Sequence, residues 1–142
     1  MSESVTERDA RDEEGSILLL TLGYALLAIA LVFVSVSATS LYLMQKRVDA
    51  VADAAALAGA DGFVIDVNGG VPVARLTDEG VAEQARLLLG GADDMRIVRA
   101  VTPDGSSARV TVEAVWRPPV VSLFVPDGVV LTSTATSRTA LG

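Results

Sequence analysis

Asp61, Asp66 and Asn68 set three oxygen-bearing side chains within eight residues, and Asp93-Asp94 follow the glycine pair Gly90-Gly91. Oxygen-rich loops of this kind can hold calcium, but the D-x-[DN]-x-[DN]-G spacing with its distal Glu is absent. Turn chemistry and helix-flanking acids account for both groups better than a metal does. Neither Gly69-Gly70 nor Gly90-Gly91 is a phosphate loop, because no Lys-Ser/Thr follows. The hydroxyls of Ser106-Ser107 and of the Thr132–Thr136 run have no histidine or nearby lysine to activate them. The chain contains no Cys and no His. That removes disulfides, thiol nucleophiles, Ser-His-Asp arrangements, the HExxH zinc site and the usual general base near neutral pH. The residues argue for no enzyme, no metal and no cofactor.

The informative feature is a position, not a reactive group. From Ile17 to Met44 there are 28 consecutive residues without Asp, Glu, Lys or Arg. About 20 apolar residues suffice to cross the hydrocarbon of a bilayer. The run therefore predicts a transmembrane helix with length to spare, and a lipid bilayer as its first partner. It contains no ionisable group of the kind that marks a transport or proton path. Gly23, Ala25, Ala28 and Ala30 give it small surfaces, while Ser35, Ser37, Thr39 and Ser40 make its distal end more polar. The tail before it, residues 1–15, carries two Arg and six acids. A cleaved secretory signal fits less well, since its tail is basic and its apolar core shorter, although "SVSA" (Ser35 to Ala38) would serve as a cleavage site. Arg8 and Arg11 before the span nearly balance Lys46 and Arg47 after it, so charge does not orient it. The following 82-residue segment favours a cytoplasmic N-terminus and an extracytoplasmic C-terminal part.

Helical character continues past the span. "QKRVDAVADAAALAGA" (Gln45 to Ala60) lacks Pro and has no Gly before Gly59, and alanine is the best helix former. Leu41, Met44, Val48, Val51, Ala55 and Ala58 are spaced 3, 4, 3, 4, 3 and predict an apolar seam along one face. Gln45, Asp49 and Asp53 fall on another face and are expected to stay wet. The seam has two readings: it docks on the chain's own C-terminal part, or it packs on neighbouring subunits. One helix from Ser16 to about Gly59 is expected, with Gly59 and Gly62 bracketing its end.

The stretch from Arg11 to Gly62, with Gly15-Ser16 opening an apolar helix and "DAAALAGA" (Asp53 to Ala60) closing it, resembles the N-terminal signature of TadE/TadG-like pilus-assembly proteins. The resemblance implies a bacterial, single-pass, minor-pilin-like component of a tight adherence (Flp) pilus. Its partners would be other pilin-like or Tad membrane components through the long helix, with self-association among the options. It also implies prepilin peptidase cleavage between Gly15 and Ser16. Leu20 stands where cleaved pilins usually carry an acid, which favours the TadG-like branch, and Ser16 also reads as a helix N-cap. A membrane-anchored accessory or sensor module that never enters a pilus is the other functional reading.

After Gly62 the pattern changes to that of a small domain, residues 61–142. "FVIDVNGGVPVARL" predicts a hairpin turning at Asn68-Gly69, with Pro72 on an edge strand. Asp78 to Leu89 predicts a short helix with acids in its first turn and Gly90 as its stop. "MRIVRAV", "SARVTVEAVW" and "GVVLTSTATSR" predict three strands, and Pro103-Asp104-Gly105 turns the first into the second. Val110, Val112, Ala114 and Trp116 alternate with Arg109, Thr111, Glu113 and Arg117, so one sheet face should be buried and the other wet. "PPVVSLFVPDG" reads as an apolar loop that covers the sheet or touches a membrane surface. The expected fold is α+β: an acidic tail (1–15), a transmembrane and stalk helix (16–60), and a small antiparallel sheet with one helix (61–142). No basic patch is legible anywhere along the chain, which argues against nucleic acid as a partner.

Overall fold

The computed structural model describes residues 3–119 and 126–139, with the backbone alone described at residues 3–13 and 68. Residues 120–125, the middle of the apolar loop, lie outside the described residues. In chain order the elements are α1 (Glu3–Ala60), β1 (Val64–Asn68), β2 (Val71–Arg75), α2 (Asp78–Leu89), β3 (Met95–Val101), β4 (Ser107–Trp116) and β5 (Val129–Arg138). The chain divides into two compact units, Met1–Thr39 and Ser40–Gly142.

The first unit is helix throughout its described length. It begins about one dozen residues earlier than expected, at Glu3, so Ser16 lies inside the helix and is not its N-cap. The reason is compositional: before Gly15 the tail has neither Gly nor Pro, and Glu, Arg and Ala all favour helix. A single internal Gly costs only about 1 kcal/mol against Ala, too little to break a helix this long. Hydroxyls in the span are satisfied locally, with Thr21 Oγ1 donating to the Ile17 carbonyl (2.8 Å) and Ser35 Oγ to that of Leu31 (2.8 Å). Such back-bonding leaves no donor stranded in an apolar surrounding.

The second unit is two-layered. β3, β4 and β5 form an antiparallel meander in the order β3-β4-β5. Its β4–β5 ladder runs in unbroken register from Ser107↔Arg138 to Trp116↔Val129, while β3–β4 carries a bulge between Ile97 and Arg99. One sheet face is apolar, as the alternation predicts: Val110, Val112 and Ala114 on β4 are buried with Leu131 and Ala135 on β5. Helices cover that face. α2 contributes Val81 and Ala85, and the end of α1 contributes Val48, Ala52, Ala55, Ala56 and Ala60 to the same core. Thr77 caps α2, its hydroxyl accepting from the Gly80 N–H at 3.1 Å, and Gly90 ends it.

The hairpin β1–β2 forms a second sheet of its own rather than joining the meander. Both its strands are edges, so Pro72, opposite Val67, breaks no ladder that matters. Its turn differs from the expected one by a residue. Asn68 pairs with Val71, and the two central positions are Gly69 (φ 72°) and Gly70 (φ 85°). Two positive φ angles in succession fall most cheaply on two glycines, which moves the turn off Asn68.

Candidate functional site

Among the described residues, one helix is long and apolar enough to cross a membrane, the Glu14–Ala60 portion of α1, and none of its most apolar window is buried by the protein. Gly15 and Ser16 are exposed on it, and a Cβ at Gly15 would meet nothing within 4 Å. The surface offered by Leu19, Leu20, Gly23, Tyr24 and Leu27 is apolar with a notch at Gly23.

Past Ser40 the same helix becomes a core element. Val48 and Ala55, two of the six expected seam residues, are 0% exposed within the chain's own second unit. Leu41, Met44 and Val51 are half-buried against the same cluster, and Ala58 is half-buried. The buried stripe also takes in Ala52, Ala56, Gly59 and Ala60, which the 3.5-residue seam missed. A straight helix repeats every 3.6 residues and drifts about 20° per heptad from a 3.5-residue repeat. Counting by 3.6 from Val48 leads to 52, 55 and 59, the positions found.

Small side chains make this contact possible. A Cβ on Gly59 would lie 2.9 Å from Val81 Cγ1 and 3.3 Å from Ala108 Cβ. One on Gly62 would lie 2.8 Å from the Gly80 carbonyl oxygen, and one on Gly80 would lie 2.7 Å from that of Gly62. Gly59 and Gly62 are thus required by the close approach of α1 to α2, beyond marking where α1 ends.

Polar contacts fix the helix on the sheet. Trp116 Nε1 donates to Ser40 Oγ at 3.1 Å, and Arg47 Nη1 pairs with Asp94 Oδ2 at 2.9 Å. Gln45 Nε2 donates to Asp49 Oδ1 at 2.9 Å. The Gln45 hydrogen bond, helped by one from Ser133 and by the Lys46 charge, holds the Asp49 carboxyl below its ordinary value against partial desolvation. Asp53 is exposed, as expected of the wet face, whereas Gln45 and Asp49 are half-buried.

The opposite face of the sheet carries charge that the linear sequence conceals. Alternate residues point away from the helices: Arg96, Arg99 and Val101 on β3, Arg109, Thr111, Glu113 and Val115 on β4, and Val130, Thr132, Thr134, Thr136 and Arg138 on β5. The absence of a basic patch along the chain therefore does not hold in space. Arg96 is tied to Glu113, and Arg109 Nε donates to Thr136 Oγ1 at 3.3 Å. Among the described residues, Asp61, Asp66, Asp93 and Asp94 are not gathered into a group of three or more His, Cys, Asp or Glu suited to an ion.

The chain thus joins one helix long and apolar enough to cross a membrane to a small α+β unit whose core the end of that helix helps to build. Residues 15–62, 48 of the 142, match the Tad family model, described as putative Flp pilus-assembly TadE/G-like. The match takes in the apolar span and the core-forming end of α1 and stops at Gly62, ahead of β1. No curated protein and no solved structure matches the chain.

Proposed function

We propose that this chain is a single-pass, minor-pilin-like structural subunit of a tight adherence (Flp) pilus or a related secretion machine, with its N-terminus cytoplasmic and residues 61–142 extracytoplasmic. The observation that carries the proposal is the Tad match across residues 15–62, a segment that is apolar and lipid-ready in its first half and core-forming in its second. Contact with other pilin-like subunits or Tad membrane components runs through the exposed face of the span and through what the Leu41, Met44, Val51 and Ala58 seam residues leave uncovered. Val48 and Ala55 serve the chain's own fold. Prepilin peptidase has an accessible target at Gly15-Ser16. No catalytic step is assigned.

A second reading, a membrane-anchored accessory module that is not incorporated, is favoured by Leu20 at the position of the usual acid and by the burial of seam residues within the chain's own domain. The two are separated by deleting the gene in its native bacterium and assaying sheared surface fractions. The pilus reading expects loss of piliation, rescue by the full chain, and the protein in the sheared fraction with a mature N-terminus at Ser16. Normal piliation after deletion, with the protein confined to membranes, supports the accessory reading instead.

A further inference from the structure

The three-stranded sheet has helices on one face and mostly exposed side chains on the other, and the two sides of this layer pair differ in charge. On the uncovered face Arg96, Arg99, Arg109 and Arg138 stand against Glu113 alone, which leaves three positive charges. The rest of residues 40–142 holds five Lys/Arg against eleven acids, a net −6. Arg99, Arg109 and Arg138 lie diagonally on three successive strands, about 7–8 Å apart at the backbone. All three are exposed, and none forms an ion pair among the described residues. Like charges at this spacing repel one another weakly in water, so a surface that brings carboxylates to the face would lower their energy. It is also rich in hydroxyls, with Thr111 and Thr134 sharing a hydrogen bond at 2.8 Å.

Its complement is on the same molecule, on the helix side. α2 packs Val81 and Ala85 inward and presents Glu79 and Glu83 outward, one turn apart. With Asp78, Arg86 and Ala100 they line an open groove between α2 and β3. Asp78 is already engaged, accepting the Thr102 N–H at 2.7 Å, which leaves Glu79 and Glu83, beside Arg86, as the groove acids with no ion pair among the described residues. A guanidinium matches a carboxylate bidentately, and opposed charges orient two surfaces before they touch.

We propose that the Arg99-Arg109-Arg138 face of one chain docks on the Glu79-Glu83 groove of a second copy. The two patches lie on opposite sides of the layer pair, so the contact is heterologous and leaves a free patch of each kind on the dimer. Such contacts propagate into rings or filaments instead of stopping at two. The contact goes beyond the pilus assignment and needs only the folded second unit, so it stands or falls independently of piliation.

The chain has no native cysteine, which makes disulfide trapping specific. The test uses the full chain in detergent micelles at low salt, with Thr134→Cys on the sheet face and Leu87→Cys beside the groove in separate preparations. Mixing the two should give a crosslinked dimer that neither forms alone, and one chain carrying both changes should give a ladder. Arg99→Glu with Arg109→Glu should lower the mixed yield about tenfold or more, as should Glu79→Arg with Glu83→Arg, since like charges then oppose. Combining both reversals between partners should restore it. Thermal melts of each variant equal to the parent's establish that folding is intact, and Arg99→Gln with Arg109→Gln serves where reversal unfolds the unit. Self-crosslinking of Thr134→Cys, a mixed yield indifferent to the reversals, or loss without rescue would each overturn the proposal. So would an absent mixed crosslink together with Arg-dependent retention on dextran sulfate, which would assign the face to an acidic polymer.

Discussion

Asp104 shows how one side chain can organise a connection. Its carboxylate accepts from the Ser106 N–H (3.0 Å), the Ser107 N–H (2.6 Å) and the Ser107 hydroxyl (2.9 Å), closing the turn between β3 and β4. These bonds, the Ser106 backbone first among them, lower its pKa from 3.8 to about 2. A depressed carboxyl stabilises the fold while it is ionised, so its contribution is complete above pH 3.8 and disappears as pH falls through about 2. Melts of the full chain from pH 5 to pH 2 should show an acid limb that Asp104→Asn flattens, with the variant less stable than the parent at pH 5. Equal pH slopes would refute this role. The turn itself was legible from Pro103-Asp104-Gly105. The task of the serines was not, because Ser106-Ser107 draw notice as nucleophiles, whereas an Asp two and three residues ahead makes them donors in an Asx-type turn.

At the scale of elements, the sequence resolved α2 and β3–β5 almost to the residue, since each is bounded by a cap or turn and has a clean period. α2 has Thr77 before it and Gly90 after it; β4 alternates apolar and polar side chains over its length. The helical phase of α1 past Ser40 was not legible, because alanines fall on every face. Ala50 and Ala54 are exposed, while Ala52, Ala55, Ala56 and Ala60 are buried. Residues of one type and two environments carry no periodic signal, and a 3.5-residue count then selects a seam that drifts off the true stripe. The structure makes Ala55 decisive. It is fully buried beside the sheet, so Ala55→Leu forces three extra carbons into a filled space, at a cost of about 1–3 kcal/mol. Ala54→Leu, one residue away and exposed, should change stability by less than about 0.5 kcal/mol. Urea unfolding of the two variants reads the difference, and equal midpoints would mean that α1 does not pack as described.

In the whole molecule α1 takes part in both units: its apolar first part is exposed, and its end belongs to the core of the second unit. Of the fifteen buried apolar residues of the core among those described, five (Val48, Ala52, Ala55, Ala56 and Ala60) belong to α1. The compact second unit accordingly starts at Ser40, although the sequence changes character only after Gly62. A cut chosen from composition, at residue 63, would strip a third of the core and expose the inner sheet face, including Val110 and Val112. It would also remove Ser40, which accepts the Trp116 indole N–H, and Arg47, which pairs with Asp94. The remaining side chains are mostly Ala and Val, and a domain of about 80 residues has little burial to spare. Residues 40–142 should therefore give a single cooperative melt with dispersed amide signals, while residues 63–142 should be unfolded or should bind hydrophobic dye as a collapsed state without fixed packing. Adding residues 40–62 back as a separate peptide should restore the cooperative transition in proportion to its concentration, as expected when binding and folding are linked. A cooperative melt from residues 63–142 alone, insensitive to the peptide, would show that the stalk is an accessory to this fold and not one of its structural layers.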